Sequence, residues 1–389
     1  MSTGGGYRHL FQRAIAAAPD RVHLAAHSHP LWPDASFVGQ IAAWSDAARL
    51  AGDKWSRVLD EIRPGAQAHV AAELNLPDAA TVAFAGNAHE LLLRLVSAID
   101  RRPVRILTSD GEFASFARQA ARWAESGRAI VEAVAMEPRA TFADRFVTRA
   151  RAGGFDLAYV SQVMFGSGLV FDRIADLAAL ARPEGPWVAI DGYHGFMAIE
   201  TDLSAVADRV FYIAGGYKYA MAGEGAGLMH APPGYGPRPE ETGWFADASE
   251  RGTVGYPADA RRFMGSTFDP SGLYRFVAVR DMLAGERLTT TAISAHVAAL
   301  HARLLDGIGG TPLAAADLLN PPGAGARARF LAFRSPQAAA WAAAFAAEEV
   351  VVHARDDLLR VCPGLNNDER DVDRFLAVAR ALPGTTAPG

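Results

Sequence analysis

The sequence is poor in two residue types that carry much of protein chemistry, cysteine and lysine. Cys362 is the only cysteine among the 389 residues, so the chain cannot form an internal disulfide bond. Lys54 and Lys218 are the only lysines, and arginine supplies all the other permanently cationic side chains. Chemistry that needs an amine nucleophile therefore has two candidate residues.

Other absences argue against whole classes of partner. No apolar run approaches the roughly 18 residues that a membrane-spanning helix needs, so we expect no membrane partner. The formal net charge is −5, and no cationic stripe interleaved with aromatic residues is present, which argues against nucleic acid. The first residues lack the basic-then-apolar pattern of a signal peptide, and together with the single cysteine this predicts a cytoplasmic location.

The composition is that of a folded globular protein, with 50% hydrophobic and 21% charged residues. Single hydrophobic cores stop growing at about 250–300 residues, so a chain of 389 residues predicts two domains. We expect a large domain over residues 66–300 and a small α+β domain over residues 301–389. Residues 1–65 form an N-terminal segment that we expect to contribute to the small domain and to the mouth of the functional site.

Short apolar runs alternate with amphipathic stretches between residues 81 and 230. The predicted strands are Thr81–Ala85, Val104–Thr108, Ile130–Val134, Leu157–Ser161, Trp187–Ile190, Val210–Ile213 and Gly227–His230. The predicted helices between them are His89–Ile99, Phe116–Ser126, Phe142–Ala152 and Ile174–Ala181. This alternation predicts an α/β fold with a mostly parallel sheet covered by helices, and ligands of such sheets bind at the carboxyl ends of the strands.

The remaining chain divides into three patterns. Residues 232–272 are rich in proline, glycine and charge, and predict a long functional loop. A helical stretch follows from Leu273 to about Leu305. The predicted elements after it are a strand at Arg329–Phe333, a helix at Pro336–Glu349, strands at Val350–His353 and Leu358–Val361, and a helix at Asp368–Ala381.

Two strand ends carry groups that suit an anion and a protonated ring. Gly86, Asn87 and Ala88 link a strand to a helix start, where free backbone N–H groups favour a phosphate, although the same turn serves as a plain connection. Asp191 ends an apolar strand and can pair with a protonated ring nitrogen, or simply cap a turn. Neither motif is specific alone.

The next strand end supplies an amine. Lys218 stands between Gly215-Gly216-Tyr217 and Tyr219, so it is poorly hydrated, its pKa should fall, and it becomes available for a Schiff base. Phe113, after another strand, can cover a planar ring or belong to the core. An anion cradle, a stacking ring, a partner for a ring nitrogen and an imine-forming amine are together the requirements of pyridoxal phosphate.

These residues resemble a known family over most of the chain. The chain resembles the fold-type I, class V aminotransferase-like enzymes that use pyridoxal 5'-phosphate, and within them it is most similar to the kynureninases. The matching stretches are His23–Ser28, Asp191–His194, Tyr217–Tyr219, Gly243–Phe245, Gly265–Thr267 and Leu359–Pro363. The family has an asparagine where this chain has Thr267, and a histidine in the stretch that corresponds to Leu50–Trp55, where this chain has none.

The resemblance implies a role for each site residue. Lys218 would bind the cofactor covalently, Asp191 would hold its pyridine nitrogen, and Phe113 would stack on its ring. Arg360 would bind the α-carboxylate of the substrate, and Tyr217 would carry a proton. The resemblance and its strand-end motifs also place the other residues around the cofactor and the substrate. Gly86, Asn87, Ala88 and Tyr217 would lie at the phosphate, and Ser266 and Thr267 at the phosphate of a neighbouring subunit. His194 would lie under the cofactor, Trp244 beside cofactor and substrate, and His27 and Ser28 at the site mouth.

The implied protein is a homodimer with its sites at the subunit interface, acting on a small amino acid. The implied reaction is hydrolytic Cβ–Cγ cleavage of L-kynurenine or a related γ-keto amino acid to alanine and an acid. A class V aminotransferase or a related lyase with the same cofactor is the alternative. A cysteine desulfurase needs a mobile cysteine, whereas Cys362 adjoins the predicted strand Leu358–Val361.

Two further alternatives concern individual residues. His27-Ser28-His29 with Lys218 as a bridging ligand suggests a metal-dependent amidohydrolase, a barrel enzyme that needs further histidines at strand ends. The preferred interpretation, a pyridoxal phosphate-dependent enzyme, predicts no metal site. Arg360 could also form a structural ion pair with Asp356 or Asp357 instead of binding a substrate.

Overall fold

The structure is a computed structural model that describes residues 6–250, 253–323 and 325–382. Its strands are β1 (Val22–His23), β2 (Val82–Ala85), β3 (Val104–Ser109), β4 (Ala129–Val134), β5 (Leu157–Ser161), β6 (Trp187–Asp191), β7 (Val210–Gly215), β8 (Gly227–His230), β9 (Asp317–Leu318), β10 (Leu331–Arg334), β11 (Val350–Val351), β12 (His353–Arg355) and β13 (Leu358–Val361). Its helices are α1 (Gln12–Ala17), α2 (Asp34–Leu50), α3 (Lys54–Arg57), α4 (Arg63–Leu74), α5 (Ala88–Ser97), α6 (Ala114–Glu125), α7 (Phe142–Arg151), α8 (Ile174–Ala178), α9 (Ser271–Gly285), α10 (Thr290–Gly307), α11 (Ala338–Ala347) and α12 (Glu369–Arg380).

A seven-stranded sheet forms the centre of the molecule, in the order β2-β8-β7-β6-β5-β3-β4. Only β8 runs against the other six strands. Most strands are buried along their length because they are apolar runs with helices on both faces of the sheet. All seven predicted strands of this region are present, and the predicted α/β fold class with a mostly parallel mixed sheet is confirmed.

The register of the sheet brings several strand ends together. Ser161 pairs with Asp191, and Asp191 pairs with Ile213, at neighbouring carboxyl ends of β5, β6 and β7. Lys218 follows β7 by three residues, and Asn87 follows β2 by two. The parallel arrangement therefore collects side chains that are far apart in the sequence at one edge of the sheet.

Where the elements differ from the predicted ones, a local cause is visible. The predicted helix from Leu273 to Leu305 is two helices, α9 and α10. Arg287 adopts a positive φ of 57° between them, and the Thr289 side chain caps α10 by accepting from Ala292 N–H. The predicted strand Val350–His353 splits because β11 pairs with β1, whereas β12 pairs with β13.

Residues 54–74 form one continuous helical segment with an irregular middle. A π-helical turn at Val58–Ile62 joins α3 to α4. Trp55, before this turn, contacts Phe245 and Phe268 of the 232–272 loop, with ring centroids 5.2 and 6.3 Å apart. After the turn, α4 buries Val70 and Leu74 in the main core.

Two hydrophobic clusters occupy the described part of the chain. The larger surrounds the seven-stranded sheet. The smaller joins α10, α11 and α12 to the four-stranded sheet β12-β13-β10-β9, and it includes Val22 and Leu24 from the N-terminal segment. The predicted domain limits at residues 65 and 300 fall inside α4 and α10, and this division of the chain stays a prediction.

The described helices include none that combines the length and the apolarity needed to cross a lipid bilayer.

The crossing of α2 and α9 generates a prediction about stability. A Cβ added at Gly39 would lie 2.7 Å from both Arg275 Cα and Tyr274 O, so Gly39→Ala should force these helix backbones apart. We expect the free energy of unfolding to fall by about 1–3 kcal/mol. Gly65→Ala is the matched control, because its Cβ would meet only Val277 Cγ2 at 3.8 Å, and it should be neutral or slightly stabilising. Urea denaturation followed by circular dichroism measures both variants, and equal midpoints would contradict the close crossing.

Candidate active site

A cavity of about 260 Å³ opens at the carboxyl edge of the seven-stranded sheet. Its walls come from the segments that follow β2, β3, β5, β6 and β7. The lining includes Asn87, Phe113, Asp191 and Lys218, one residue from each of four predicted strand-end motifs. The fold therefore brings these four motifs to one place.

Lys218 is buried in the wall of this cavity, and its amine is surrounded by an imidazole, a backbone carbonyl and aromatic rings. Its Nζ lies 2.7 Å from His194 Nε2 and donates to the His27 carbonyl oxygen at 3.2 Å. The ring centroids of Tyr217 and Tyr193 lie 5.5 and 5.6 Å from Nζ. Burial, reinforced by the Arg360 charge, lowers the pKa of Lys218 to about 7. A large fraction of the amine is therefore neutral and nucleophilic near pH 7.

His194 contacts Lys218 directly, which the sequence did not reveal. Burial, with the nearby Lys218 and Arg360 charges, lowers the pKa of His194 well below its ordinary value, so the imidazole is neutral. Its Nε2 can share a proton with Lys218 Nζ, whereas its Nδ1 is buried without a hydrogen-bond partner.

Asp191 is fixed at the end of β6 by two donors. Its Oδ2 accepts from the Tyr159 hydroxyl at 2.7 Å, and its Oδ1 accepts from the Tyr193 backbone N–H at 2.9 Å. Burial raises the pKa of Asp191, and the two hydrogen bonds oppose this rise. The carboxylate is thus rigidly oriented at the cavity wall.

A second carboxylate, Glu112, lies behind this wall. Glu112 is buried and accepts from the hydroxyls of Ser109 and Ser161 at 2.6 and 2.5 Å. Burial raises its pKa to about 7, and the Asp191 charge contributes to the rise. Glu112 directly precedes Phe113 in the sequence and was not among the predicted site residues.

The first turn of α5 borders the cavity. Asn87 caps the helix by accepting from Glu90 N–H at 3.0 Å, and Ala88 and His89 line the cavity. N–H groups of a first helical turn have no partner within the helix, which suits an anion. Gly86 is half-buried in the preceding turn, and His89, which the sequence analysis did not select, has a buried Nδ1 without a partner.

Phe113 and Phe165 form an aromatic wall, with ring centroids 5.3 Å apart in an edge-to-face arrangement. The Phe113 ring centroid lies 6.0 Å from Lys218 Nζ. Phe113 is 37% exposed, so it belongs to the cavity wall and not to the core, which was the alternative interpretation of this residue.

Arg360 on β13 is buried without an acidic partner. Its Nη1 donates to the Phe165 carbonyl oxygen at 2.6 Å, and its Nη2 lies 2.5 Å from His353 Nδ1. Its Nε is buried without any partner. Asp357 instead contacts Arg334 at 3.5 Å, so the alternative that Arg360 forms an ion pair with Asp356 or Asp357 is wrong.

Electrostatics around Arg360 favour an anion. Burial lowers the pKa of Arg360 to about 10, which leaves the guanidinium charged at neutral pH. Its neighbour His353, which the sequence analysis did not identify, is neutral because burial and the Arg360 charge lower its pKa to about 4. A buried guanidinium with only neutral partners is suited to a carboxylate ligand.

His27 lies deeper than the sequence predicted. It is fully buried instead of standing at the site mouth, and neither ring nitrogen has a hydrogen-bond partner. Its ring is 5.1 Å from Phe330 and 5.6 Å from His353, centroid to centroid. Burial, followed by the charges of Arg360, His194 and Lys218, lowers its pKa well below the ordinary value. Ser28, the next residue, is half-buried.

Seven predicted residues do not line the Lys218 cavity of their own chain: His27, Ser28, Gly86, Trp244, Ser266, Thr267 and Arg360. Trp244, Ser266 and Thr267 lie on the 232–272 loop, where Trp244 Nε1 donates to Thr267 Oγ1 at 3.0 Å. Trp244 is 53% exposed and stacks on Phe245 at a centroid distance of 4.0 Å. The predicted contact of Trp244, Ser266 and Thr267 with a cofactor is therefore not made within this chain.

Tyr217 borders the cavity beside Lys218. Its ring is stacked with His29 at 5.6 Å and tilted against Tyr193 at 5.2 Å, centroid to centroid. Burial raises the pKa of its hydroxyl, which keeps the phenol protonated at neutral pH.

Cys362 is fully buried and held in place. Its thiol donates to the Arg329 carbonyl oxygen at 2.8 Å, and burial raises its pKa to about 12. It is therefore neither mobile nor a thiolate at neutral pH.

The described residues include no group of three or more histidine, cysteine, aspartate or glutamate side chains placed to hold a metal ion. The main sheet is open, as its terminal strands β2 and β4 each have one neighbour. A metal-dependent amidohydrolase would need a closed barrel, whereas the main sheet of this chain is open.

Comparison with known proteins reveals similarity at the level of structure alone. No protein-family model and no curated protein sequence matches the chain. A mutant of the enzyme C-DES, with glycine covalently linked to its PLP cofactor, matches with a TM-score of 0.79 and 16% identity over 97% of this chain and 99% of that chain. The cystine C-S lyase C-DES in complex with its reaction product cysteine persulfide matches with a TM-score of 0.78 and 16% identity over 95% and 99%.

The cysteine desulfurase CsdA from Escherichia coli gives a TM-score of 0.77 and 17% identity over 96% of both chains. At identities of 16% and 17%, the similarity shows that the fold is shared and shows nothing finer. The chain has the fold-type I architecture, a mostly parallel mixed sheet with helices, and shares this fold with these proteins over nearly its whole length.

Proposed function

We propose that the chain is a pyridoxal 5'-phosphate-dependent enzyme that acts on an L-amino acid and cleaves a bond in the side chain of that substrate. The observation that carries the proposal is the buried Lys218, whose pKa is about 7, in one cavity with Asp191, Phe113 and the first turn of α5. Structures of the same fold, among them one with glycine covalently linked to its PLP cofactor, support it.

The residues of the cavity fit this cofactor. Lys218 offers the amine, and Asp191 offers an oriented carboxylate for the ring nitrogen. The α5 turn, with Gly86, Asn87 and Ala88, offers backbone donors for the phosphate, and Phe113 offers an aromatic face. His194 and His89 each have a buried ring nitrogen that lacks a partner within the chain, and a bound polar group would supply one.

When bound, the cofactor withdraws electrons from the α-carbon of the amino acid, which makes its proton acidic. Lys218, neutral near pH 7, would accept that proton, and His194 at 2.7 Å from Nζ would share it. Asp191 would hold a proton on the ring nitrogen, since Tyr159 and the Tyr193 N–H fix its orientation. The buried setting of these groups excludes bulk water and strengthens each electrostatic contact.

Arg360 would bind the α-carboxylate of the substrate through its charged guanidinium. His27, with two unpartnered ring nitrogens near Arg360 and Lys218, would contact the same substrate, with Ser28 beside it. Because Arg360 lies on β13 and Lys218 follows β7, the substrate would bridge the small four-stranded sheet and the large sheet.

Cys362 limits the reaction type. A fully buried thiol whose pKa is about 12 cannot accept sulfur from a substrate, so we do not propose desulfurase chemistry that passes through a protein persulfide. Two thiol-free cleavages stay as candidates. Kynureninase-like hydrolysis of L-kynurenine or a related γ-keto amino acid is supported by the aromatic wall of Phe113 and Phe165 and by the Tyr217 phenol as a proton carrier. Elimination from a β-substituted amino acid is supported by the fold shared with the C-S lyase C-DES.

A homodimer completes the proposal. Phe37, Ile41 and Trp44 recur on one face of α2 and are 44%, 47% and 70% exposed, which is an apolar stripe suited to a second copy of the chain. Ser266, Thr267 and Trp244, which do not line their own cavity, would reach the phosphate region and substrate of the partner. This arrangement would place the sites at the subunit interface.

The amine of Lys218 can be tested against the only other lysine. We expect borohydride treatment of the pyridoxal phosphate-loaded protein to fix the cofactor to Lys218, and Lys218→Ala to abolish this adduct, whereas Lys54→Ala keeps it. Because the neutral amine increases as pH rises through about 7, cofactor capture by the apo-protein should be half-maximal near pH 7. Peptide mass spectrometry after reduction at pH 6 to 9 measures both effects. A cofactor adduct retained in Lys218→Ala would overturn the assignment.

Arg360→Gln should raise KM and lower kcat/KM by about 10- to 100-fold, as expected when one charge-assisted contact to a carboxylate is lost. Arg334→Gln is the matched control, since Arg334 on the adjacent strand β10 contacts Asp357 at the surface. Steady-state kinetics of both variants provides the measurement. Equal losses in the two variants would show that Arg360 has only a structural role.

The reaction type follows from the products formed without any added keto acid. Anthranilate and alanine from L-kynurenine would establish hydrolytic cleavage, and pyruvate with a persulfide from L-cystine would establish elimination. Cys362→Ala should retain the rate in either case, because the thiol is buried and protonated. Turnover that occurs only with a keto acid would replace this proposal by transamination, and loss of activity in Cys362→Ala would restore thiol chemistry.

A further inference from the structure

A second, much smaller cavity lies behind Lys218, and we call it the Arg329 cavity. Its volume is about 20 Å³, and it shares no lining residue with the Lys218 cavity. It is bounded by Tyr219, by Ile293 and Val297 of α10, by Arg329, and by the segment Pro363–Asn366. None of the roles proposed above uses it.

Arg329 brings a positive charge into this wall without an acidic partner. The residue is 5% exposed, its Nε donates to Ser294 Oγ, and its Nη2 donates to the Thr290 carbonyl oxygen, each at 2.9 Å. Its Nη1 makes no hydrogen bond with the described residues. Burial lowers the pKa of Arg329 to about 10, so the guanidinium keeps its charge at neutral pH.

Glu73 is the carboxylate whose charge acts on Arg329, and it is already hydrogen-bonded to other residues. Glu73 raises the pKa of Arg329 through space, but its carboxylate is bonded to Arg280 at 2.6 Å and to the Thr290 hydroxyl. Within the described part of the chain, no carboxylate oxygen lies within 4.0 Å of the Arg329 guanidinium.

Two uncharged polar groups in the same wall have unused hydrogen-bonding capacity. The Tyr219 hydroxyl is buried, and apart from a weak contact with the Cys362 thiol it makes no hydrogen bond with the described residues. Asn366 is 4% exposed, and the structure shows no hydrogen bond from its side-chain amide to the described residues. Guanidinium, hydroxyl and amide can all donate, and the other side chains of the wall, such as Met221 and Leu365, are mostly apolar.

We propose that the Arg329 cavity is a binding site for a single halide ion, chloride in solution. A volume of about 20 Å³ suits one particle close to the size of water, which favours a monatomic anion over a carboxylate, phosphate or sulfate. The guanidinium excludes a cation. A water molecule would satisfy the donors but leave the buried charge without a counter-ion, whereas a halide provides both.

A halide in the Arg329 cavity would affect the Lys218 site, because residues adjacent in sequence line the one and belong to the other. Tyr219 directly follows Lys218, Pro363 is three residues after Arg360, and Ala26, which also lines the Arg329 cavity, directly precedes His27. A bound halide would therefore tie together the three segments that carry these residues. The inference is independent of the proposed cofactor and reaction.

Bromide provides a direct probe of the site. We expect an anomalous bromine peak within hydrogen-bond distance of Arg329, Tyr219 and Asn366 in crystals of the full chain grown in bromide. We also expect the melting temperature to rise by about 2 °C or more when sodium gluconate is replaced by sodium chloride at the same ionic strength, since a ligand that binds the folded state stabilises it. Electron density for water without an anomalous peak, or equal melting temperatures, would overturn the proposal.

Asn366→Asp tests the charge argument, because it builds a carboxylate into the wall. This variant should lose the response to chloride and melt in gluconate near the temperature of the wild-type protein in chloride. Asn75→Asp, which adds the same charge at an exposed turn, should keep the response. Tyr219→Phe removes one donor while preserving shape, and should weaken bromide binding by about tenfold in a titration. A full chloride response in Asn366→Asp, or unchanged bromide affinity in Tyr219→Phe, would show that the ion acts elsewhere.

Discussion

The chemistry of this chain depends on the removal of one amine from water. Burial, together with the Arg360 charge, lowers the pKa of Lys218 to about 7, whereas Asp191 acts in the opposite direction. Among the described residues, the neighbours within hydrogen-bond distance of Nζ are uncharged groups, His194 Nε2 and the His27 carbonyl oxygen. A carboxylate in contact with Nζ would have kept the amine protonated, so the absence of an ion pair is what makes this lysine reactive.

The large sheet provides the geometry for this arrangement. Acidic groups, Asp191 and Glu112, lie on one side of Lys218, where Tyr159 and two serines hold them in place. The cationic Arg360 and the neutral His27 and His353 lie toward the small four-stranded sheet. The site is thus divided into an acidic side suited to a protonated ring and a basic side suited to a carboxylate, and the amine stands between them.

The sequence predicted the local features well because their causes are local. Apolar runs of four to six residues marked the seven strands, and the glycine-rich surroundings of Lys218 marked its poor hydration. Contacts between distant segments could not be predicted in this way. The depth of His27 depends on Phe330 and His353, and the pairing of Arg360 with His353 depends on the register of β12 and β13. The burial of Glu112 at the site could not be predicted, because its hydrogen-bond partners, Ser109 and Ser161, come from two different strands.

The π-helical turn at Val58–Ile62 has a consequence for how the 232–272 loop is attached. A π turn accommodates one residue more than an α turn, which rotates the two flanking helical segments by about 100° relative to each other. Trp55, before the turn, can therefore pack on Phe245 and Phe268 while Val70 and Leu74, after it, are buried in the main core, although all three residues belong to one continuous helical segment. The extra residue thus lets a single helical segment hold the 232–272 loop through Trp55 and the core of the large sheet through Val70 and Leu74.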